Sequence, residues 1–173
     1  MNWLIELVDW FLPESVRSAD EETLRQGRVT VGSSFLFLPV APISAYFYTT
    51  LGFTQVLPPI LFSGLVIFAS PFLIRLLGSV AIGSTFMLAS LTTTLTFVAF
   101  ETGGVHSPVL HWAFMLPWVA GACLGSRAAI FWTAAGVFDI LLVTVEQVQI
   151  DWESFQIIGA REDILMASTL LLV

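Results

Sequence analysis

The sequence predicts an all-α membrane protein: a polytopic bundle of six transmembrane helices preceded by an amphipathic helix at the membrane interface. Of its 173 residues, 57% are hydrophobic and 11% are charged, whereas a soluble domain has about 45–50% apolar and about 25% charged residues. The mean hydropathy is +0.89. These values argue against a soluble enzyme and against a disordered chain, which needs low hydrophobicity and high charge.

The charged residues narrow the class of function further. The chain has 13 acidic and 6 basic residues, a net charge of −7, and all of the basic residues are Arg. Nucleic-acid binding needs a basic surface, so no nucleic-acid partner is expected. Cys123 is the only cysteine, which excludes an internal disulfide and a multi-cysteine metal site. The N-terminus lacks the basic segment of a cleavable signal peptide.

Residues 1–12 predict a short helix that does not cross the membrane. They are apolar but include Glu6 and Asp9, and a spanning helix needs about 20 apolar residues. Trp3 and Trp10 suit the membrane interface, where amphipathic rings lie at the level of the headgroups. The stretch therefore predicts either a helix lying in the plane of the membrane surface or one packed against the bundle or a partner.

A second, polar helix is expected before the first membrane span. Ser18 and Glu21 form a Ser-x-x-Glu capping box, which predicts a helix over about 19–28 leading straight into the span. The sequence thus divides into a cytoplasmic segment at 1–28, with the amphipathic helix and this capped linker helix, and a transmembrane domain at 29–173.

Six apolar runs predict the transmembrane helices. They lie at roughly 29–51, 56–77, 79–100, 108–124, 128–145 and from Ile164 to Val173. Ten residues of helix cross only about half of the hydrocarbon core, so the last run predicts a sixth helix that continues in a larger protein. Pro39 and Pro42 predict a kink in the first helix, either static or a hinge. The third run is rich in Gly, Ser and Thr, which predicts a helix at the centre of the bundle.

The arginines predict the orientation. With the N-terminus in the cytoplasm, the positive-inside rule is satisfied by five of them: Arg17, Arg25, Arg28, Arg75 and Arg127. Arg161 alone falls on the outer side. The sixth helix then runs back toward the cytoplasm.

Most candidate ligand-binding residues lie where the third run joins the fourth. They are Glu101, Thr102, Gly103, Gly104, His106, Ser107, His111 and Trp112. The glycine pair breaks the helix, and Ser107 with the proline that follows it suits the start of the next one. Glycine amides beside a helix N-terminus can hold an anionic or carbonyl group.

Three interpretations of this loop stay open. Glu101, His106 and His111 could bind a metal ion, although their spacing matches no specific metal motif. The loop could instead recognise a small amphipathic ligand or a lipid headgroup, with the histidines responding to pH. In the third interpretation it is a structured turn whose His and Trp side chains anchor it at the interface.

Asp139 is the other candidate ligand-binding residue. It lies in the middle of the fifth run, where an acid is costly and usually faces the bundle interior or water. The sequence allows a functional role, such as pairing with a histidine, or a structural hydrogen bond to the threonine-rich third helix. No nucleotide-binding, nucleophile or metalloprotease motif occurs, so no enzymatic activity and no catalytic residue are predicted within the chain.

An ordered series of motifs resembles a known family. The series is Arg-Val-Thr-Val-Gly-Ser-Ser from Arg28, Glu-Thr-Gly-Gly-Val-His-Ser-Pro from Glu101, then Trp112, then Leu-Gly-Ser-Arg-Ala from Leu124. In this order the motifs resemble the N-terminal six-helix membrane region of bacterial sensor histidine kinases and of diguanylate and adenylate cyclases, over residues 25–173. The resemblance implies a homodimer in the bacterial inner membrane. It also implies that the sixth helix leads into a cytoplasmic kinase or cyclase domain.

The predicted function is therefore that of a sensory input, or receptor, module in signal transduction, as in two-component systems. It would bind a hydrophobic or amphipathic signal and pass a helix displacement to the output domain, with membrane lipid and a small hydrophobic ligand as partners. The alternative is a structural subunit of a larger membrane complex that makes protein, lipid or pigment contacts, in which the histidines ligate a pigment or haem metal. A small transporter dependent on Asp139 is a third interpretation. The sequence identifies no cofactor.

Overall fold

The computed structural model of the protein describes residues 2–147, and this part of the chain contains helices and turns but no strand. The α-helices are α1 (Asn2–Phe11), α2 (Glu14–Arg17), α3 (Glu21–Thr50), α4 (Leu57–Leu77), α5 (Val80–Glu101), α6 (Leu116–Leu124) and α7 (Ser126–Gln147). Three 3-10 segments lie at Thr54–Val56, Gly104–His106 and Pro108–Met115. The all-α fold class is confirmed. The predicted sixth helix and Arg161 lie outside the described residues.

Within the described residues, four helices are long and apolar enough to cross a membrane. Their spans are Glu21–Thr50, Thr54–Leu77, Val80–Glu101 and Ser126–Val145, and they correspond to the first, second, third and fifth apolar runs. Among them, α5 packs against α3, α4, α6 and α7. The central position predicted for the helix rich in small residues is therefore confirmed.

The fourth apolar run differs from the single α-helix that its composition predicts. It begins as the 3-10 segment Pro108–Met115 and becomes α-helical only at Leu116. Pro117 explains the change, because a proline inside an α-helix has no N–H for the carbonyl four residues earlier and its ring collides with it. That carbonyl belongs to Ala113, which instead accepts from the backbone N–H of Leu116, as in a 3-10 helix.

The start of the first long helix corrects the predicted capping box. The N-cap is Asp20, whose carboxylate accepts a hydrogen bond from the Thr23 backbone N–H at 3.0 Å. Ser18 is instead the C-cap of α2, and its Oγ donates to the carbonyl of Glu14 at 2.7 Å. The polar residues after Asp20 form the first turns of α3, which continues unbroken into the apolar run, so the prediction that this helix leads straight into the run is confirmed.

Buried hydroxyl groups join α3, α4 and α5. Thr30 Oγ1 lies 2.7 Å from Ser84 Oγ, and Ser34 Oγ lies 2.8 Å from Ser70 Oγ. Ser70 also donates to the carbonyl of Ile67 at 2.7 Å, which is the carbonyl left without its helical partner by Pro71. The Ser70 hydroxyl thus supplies the hydrogen bond that Pro71 cannot give to this carbonyl. In a helix shielded from water, a side chain of this kind has to satisfy such a carbonyl.

The N-terminal segment packs against one end of the bundle. Phe11, Leu12 and Val16 are buried with Val31, Ile74 and Val80 of the long helices. Arg28 Nε and Nη2 donate to the two carboxylate oxygens of Asp9, each at 2.7 Å. Arg75 Nη1 donates to the Trp10 carbonyl at 2.8 Å, and its guanidinium carbon lies 3.9 Å from the Trp10 ring centroid.

The rest of α1 keeps an exposed apolar surface. Trp3, Leu4, Ile5 and Leu7 are exposed, and Trp3 retains 64% of its accessible area. The sequence allowed either packing against the bundle or a position in the plane of the membrane surface. The C-terminal end of this segment packs against the bundle. Whether the exposed residues meet a membrane remains a prediction.

The Asp9–Arg28 pair predicts that α1 docking weakens in acid. The hydrogen bonds from Arg28 lower the pKa of Asp9 below its ordinary value, which is about 4. When the pKa of a carboxylate is lower in the folded state than in the unfolded state, the carboxylate stabilises the folded state at pH values above its unfolded-state pKa. This stabilisation is lost as the pH falls through the folded-state pKa. We therefore expect proteolysis of α1 to become modestly faster as pH falls below about 4, since a partly solvated pair contributes little.

Limited proteolysis of the detergent-solubilised protein across this pH range is the measurement. Asp9→Asn should remove the pH dependence and leave α1 equally sensitive at all pH values. Glu6→Gln, at an exposed position on the same helix, is the matched control and should behave as the unchanged protein. A pH profile unaffected by Asp9→Asn would contradict the assignment.

Candidate functional site

The predicted loop folds as a tight turn between α5 and the Pro108–Met115 segment. Gly103 and Gly104 have φ angles of 120° and 61°, which side-chain-bearing residues rarely adopt. Both glycines are buried, as are Thr102 and Ser107 on either side of them. The predicted break in the helix at the glycine pair is therefore confirmed, and Ser107 is the N-cap of the segment that follows.

A chain of hydrogen bonds runs through the turn. Thr102 Oγ1 lies 2.6 Å from both the Val98 carbonyl and Ser107 Oγ, and Ser107 Oγ accepts from the Val109 backbone N–H at 3.4 Å. Each hydroxyl has one proton to donate. The arrangement that satisfies every group has Ser107 donating to Thr102 and Thr102 donating to Val98. Both hydroxyls are then used within the turn, which favours its interpretation as a structured turn.

Breaking this hydrogen-bond chain should destabilise the protein. Thr102→Val keeps the shape of the side chain but leaves the buried Ser107 hydroxyl without its acceptor, which costs about 1–3 kcal/mol. Thr133→Val is the matched control, because Thr133 also donates to a carbonyl four residues earlier, at 2.7 Å, but is exposed. Thermal unfolding in detergent should show a lower midpoint for Thr102→Val than for Thr133→Val. Equal midpoints would contradict the assigned chain.

The structure does not assemble the predicted metal ligands. Glu101 is half-buried at the end of α5, whereas His106 and His111 are exposed. His111 Nδ1 lies 3.0 Å from the Pro108 carbonyl, so Nδ1 carries the proton and donates. Among residues 2–147, no group of three His, Cys, Asp or Glu side chains lies close enough together to hold a metal ion.

Asp139 lies apart from the turn, on the middle of α7. Its side chain is half-buried and lies near the Thr96 hydroxyl on α5, which donates to the Thr92 carbonyl at 3.0 Å. This is the contact with the threonine-rich helix that the sequence left open as a structural alternative. Below the turn, Val143 and Leu110 are buried together with Ala99, so α7 and α5 are in contact on the side nearest the turn.

An apolar cavity of about 130 Å³ lies beside the turn, between α3, α4 and α5. Its walls include Phe37, Ala41, Tyr48, Ile60, Gly64, Ile67, Leu91, Leu95, Val98, Val109 and Trp112. Polar residues in the lining are Ser44, Tyr48, Ser63 and Thr94, and none of the lining residues within 2–147 is charged. The buried cluster of Ala45, Phe53, Val56, Ile60, Val98 and Val109 adjoins it.

Trp112 is the predicted site residue that lines this cavity; the other eight do not. The remaining lining residues cannot be recognised from the sequence, because they come from α3, α4, α5 and the Pro108–Met115 segment, and apolar residues occur on every face of these elements. One signal was present in the sequence. Tyr48 is one of only two tyrosines in the chain, and a phenol within an apolar run usually needs a hydrogen-bonding partner.

Comparison with known proteins gives no family assignment. The chain matches no protein-family model, no curated protein and no solved structure.

Proposed function

We propose that the chain is the membrane input module of a sensor, which binds a hydrophobic or amphipathic signal and transmits it as a helix displacement to a cytoplasmic output domain. The observation that carries this proposal is the apolar cavity at the meeting point of α3, α4 and α5. A ligand can shift an equilibrium between two helix arrangements only by its difference in affinity for them. A cavity bounded by three helices is suited to this, because its shape changes when any of them moves.

The helix contacts support transmission along the bundle. α4 lines the cavity at Ile60 and Ile67 and ends beside α1, where the Arg75 guanidinium meets Trp10. The cavity and the docked N-terminal segment therefore share one continuous helix. In the proposed orientation the segment at 1–28 lies in the cytoplasm, as the arginine distribution predicts.

The proposed bundle has six spans, four of which are the long apolar helices. The fourth apolar run contains only 17 residues, yet it reaches about 30 Å because a 3-10 helix rises about 2.0 Å per residue. This equals the usual thickness of the hydrocarbon core, about 30 Å. The sixth span is proposed only from the apolar run at 164–173, which lies outside the described residues. The bundle is proposed to work as a homodimer, as the family resemblance implies.

Native mass spectrometry of the protein, purified gently from its own membrane, tests this proposal. A sensor should give a polypeptide well above 19.0 kDa, present as a dimer. A 19.0 kDa chain held at a fixed ratio among other subunits would contradict the sensor and support the second candidate.

The second candidate is a structural subunit of a larger membrane complex. It is favoured by the apolar surface of α6 and α7, where Trp118 and Ile130 retain 77% and 72% of their accessible area. Lipid alone would also cover such a surface. A stoichiometric partner protein or a bound pigment in the purified complex would therefore distinguish the two candidates.

A further inference from the structure

We propose that the cavity between α3, α4 and α5 binds a small lipid-soluble molecule with an apolar body about the size of a benzene ring and one hydrogen-bond-accepting oxygen, received by the Tyr48 hydroxyl. This deepens the proposed function and rests on it for its biological meaning. The binding itself is a property of the cavity, so it is testable without any output domain.

The size and lining of the cavity set the apolar part of the ligand. Its volume is about 130 Å³, although it is partly open to its surroundings; an engineered protein cavity of about 150 Å³ binds benzene. Phe37, Ile67 and Leu91 supply apolar walls, and no charged side chain from the described part of the chain lines it. A charged ligand would be left without a partner there, which is costly.

Tyr48 sets the polar part of the ligand. Its side chain is half-buried and lines the cavity, and its ring contacts Phe53 with centroids 6.4 Å apart. In the described part of the chain, the Tyr48 hydroxyl makes no hydrogen bond. Every fully buried side-chain oxygen or nitrogen there has a partner, so the Tyr48 hydroxyl is not fully buried. The Tyr48 hydroxyl is therefore accessible and has a proton to donate. A carbonyl oxygen on the ligand would accept it.

The test uses photolabelling of the full chain in lipid nanodiscs with 3-trifluoromethyl-3-phenyldiazirine, a phenyl-bearing probe. Acetophenone and isopropylbenzene serve as competitors, because they have nearly the same shape but only acetophenone has an accepting oxygen. Labelled positions are mapped by mass spectrometry of peptides. Labelling of Leu91, Leu95 and Val98 should be suppressed by both competitors, whereas labelling of the exposed Phe138 on α7 should not be.

The tyrosines give a matched pair of variants. Tyr48→Phe should raise the half-competing concentration of acetophenone about three- to tenfold, as expected for one lost neutral hydrogen bond, and leave that of isopropylbenzene unchanged. Tyr46→Phe makes the same chemical change on the same helix at a side chain with 73% of its area exposed. It should alter neither value.

A second pair of variants tests the cavity independently of the hydroxyl. Ser44→Phe should fill the cavity and abolish the suppressible labelling, whereas Ile43→Phe, at an exposed neighbouring position, should preserve it. Labelling of the cavity walls that neither competitor reduces would overturn the proposal, as would equal effects of Tyr48→Phe and Tyr46→Phe. A photoreactive phospholipid that labels the cavity walls, where the small probe does not, would show that a membrane lipid occupies the cavity. This result would also overturn the proposal.

The outcome is separable from that of the proposed function. Suppose that the competitors reduce the labelling but the protein proves to be a stoichiometric subunit of a membrane complex. The proposed binding site would then stand and the proposed sensor function would be wrong. Suppose instead that the protein is a dimer with an output domain but that neither competitor reduces the labelling. The proposed sensor function would then stand and the proposed binding site would be wrong.

Discussion

Replacing Gly83 with alanine is expected to lower the free energy of unfolding by about 3 kcal/mol, the upper part of the range for overpacking a tight interior. A β-carbon at this position would collide with Ile74 Cγ1 and would lie 2.9 Å from the Ser70 carbonyl oxygen. Ile74 is fully buried, and a backbone carbonyl in a helix cannot turn away. Relief therefore requires α4 and α5 to separate along their contact.

Gly32→Ala is the matched control for this prediction. Gly32 lies within α3, and a β-carbon there would meet no atom within 4 Å. Without a collision, alanine should leave stability unchanged or raise it by up to about 1 kcal/mol through its better helix propensity. Thermal unfolding in detergent compares the two variants. Equal midpoints would show that the α4–α5 contact is looser than described.

The two glycines illustrate how far the sequence could predict the fold. Apolar runs predicted four long helices, with most ends within two or three residues of those observed. The apolar run begins only at 29, but the polar helix predicted over about 19–28 comes within two residues of the observed start of α3 at Glu21. Hydropathy marks an apolar boundary, whereas the capping residues mark the end of the helix. The abundance of small residues predicted that α5 is central, but not that Gly83 meets Ile74 whereas Gly32 meets nothing.

The candidate site shows the same division between local and long-range information. Local rules predicted the break at Gly103 and Gly104 and the N-cap at Ser107, because backbone conformation and capping depend on near neighbours. The cavity depends on how α3, α4 and α5 lie against one another, which no spacing within one helix specifies. Tyr48 and Trp112, 64 positions apart in the sequence, line the same space for this reason.

The N-terminal segment supports the second large prediction. Leu12→Ala is expected to cost about 3 kcal/mol, because Leu12 is 1% exposed and replacing a buried leucine by alanine costs about 2–5 kcal/mol. Leu12 lies over Gly27, where a β-carbon would be 3.0 Å from its Cδ2 atom. Its loss should release α1 from the bundle and speed hydrogen exchange of the α1 amides about 100-fold.

Leu7→Ala is the control, since Leu7 lies on α1 with 42% of its side chain exposed. In detergent, Leu7→Ala should leave exchange nearly unchanged while Leu12→Ala speeds it. The same pair measured in lipid vesicles separates the two arrangements of this segment that its sequence allows. If the membrane surface holds α1, Leu7→Ala should speed exchange in vesicles but not in micelles, because the lost apolar area would contact lipid. If packing against the bundle alone holds it, Leu12→Ala should dominate in both, since the side chain that matters is the buried one.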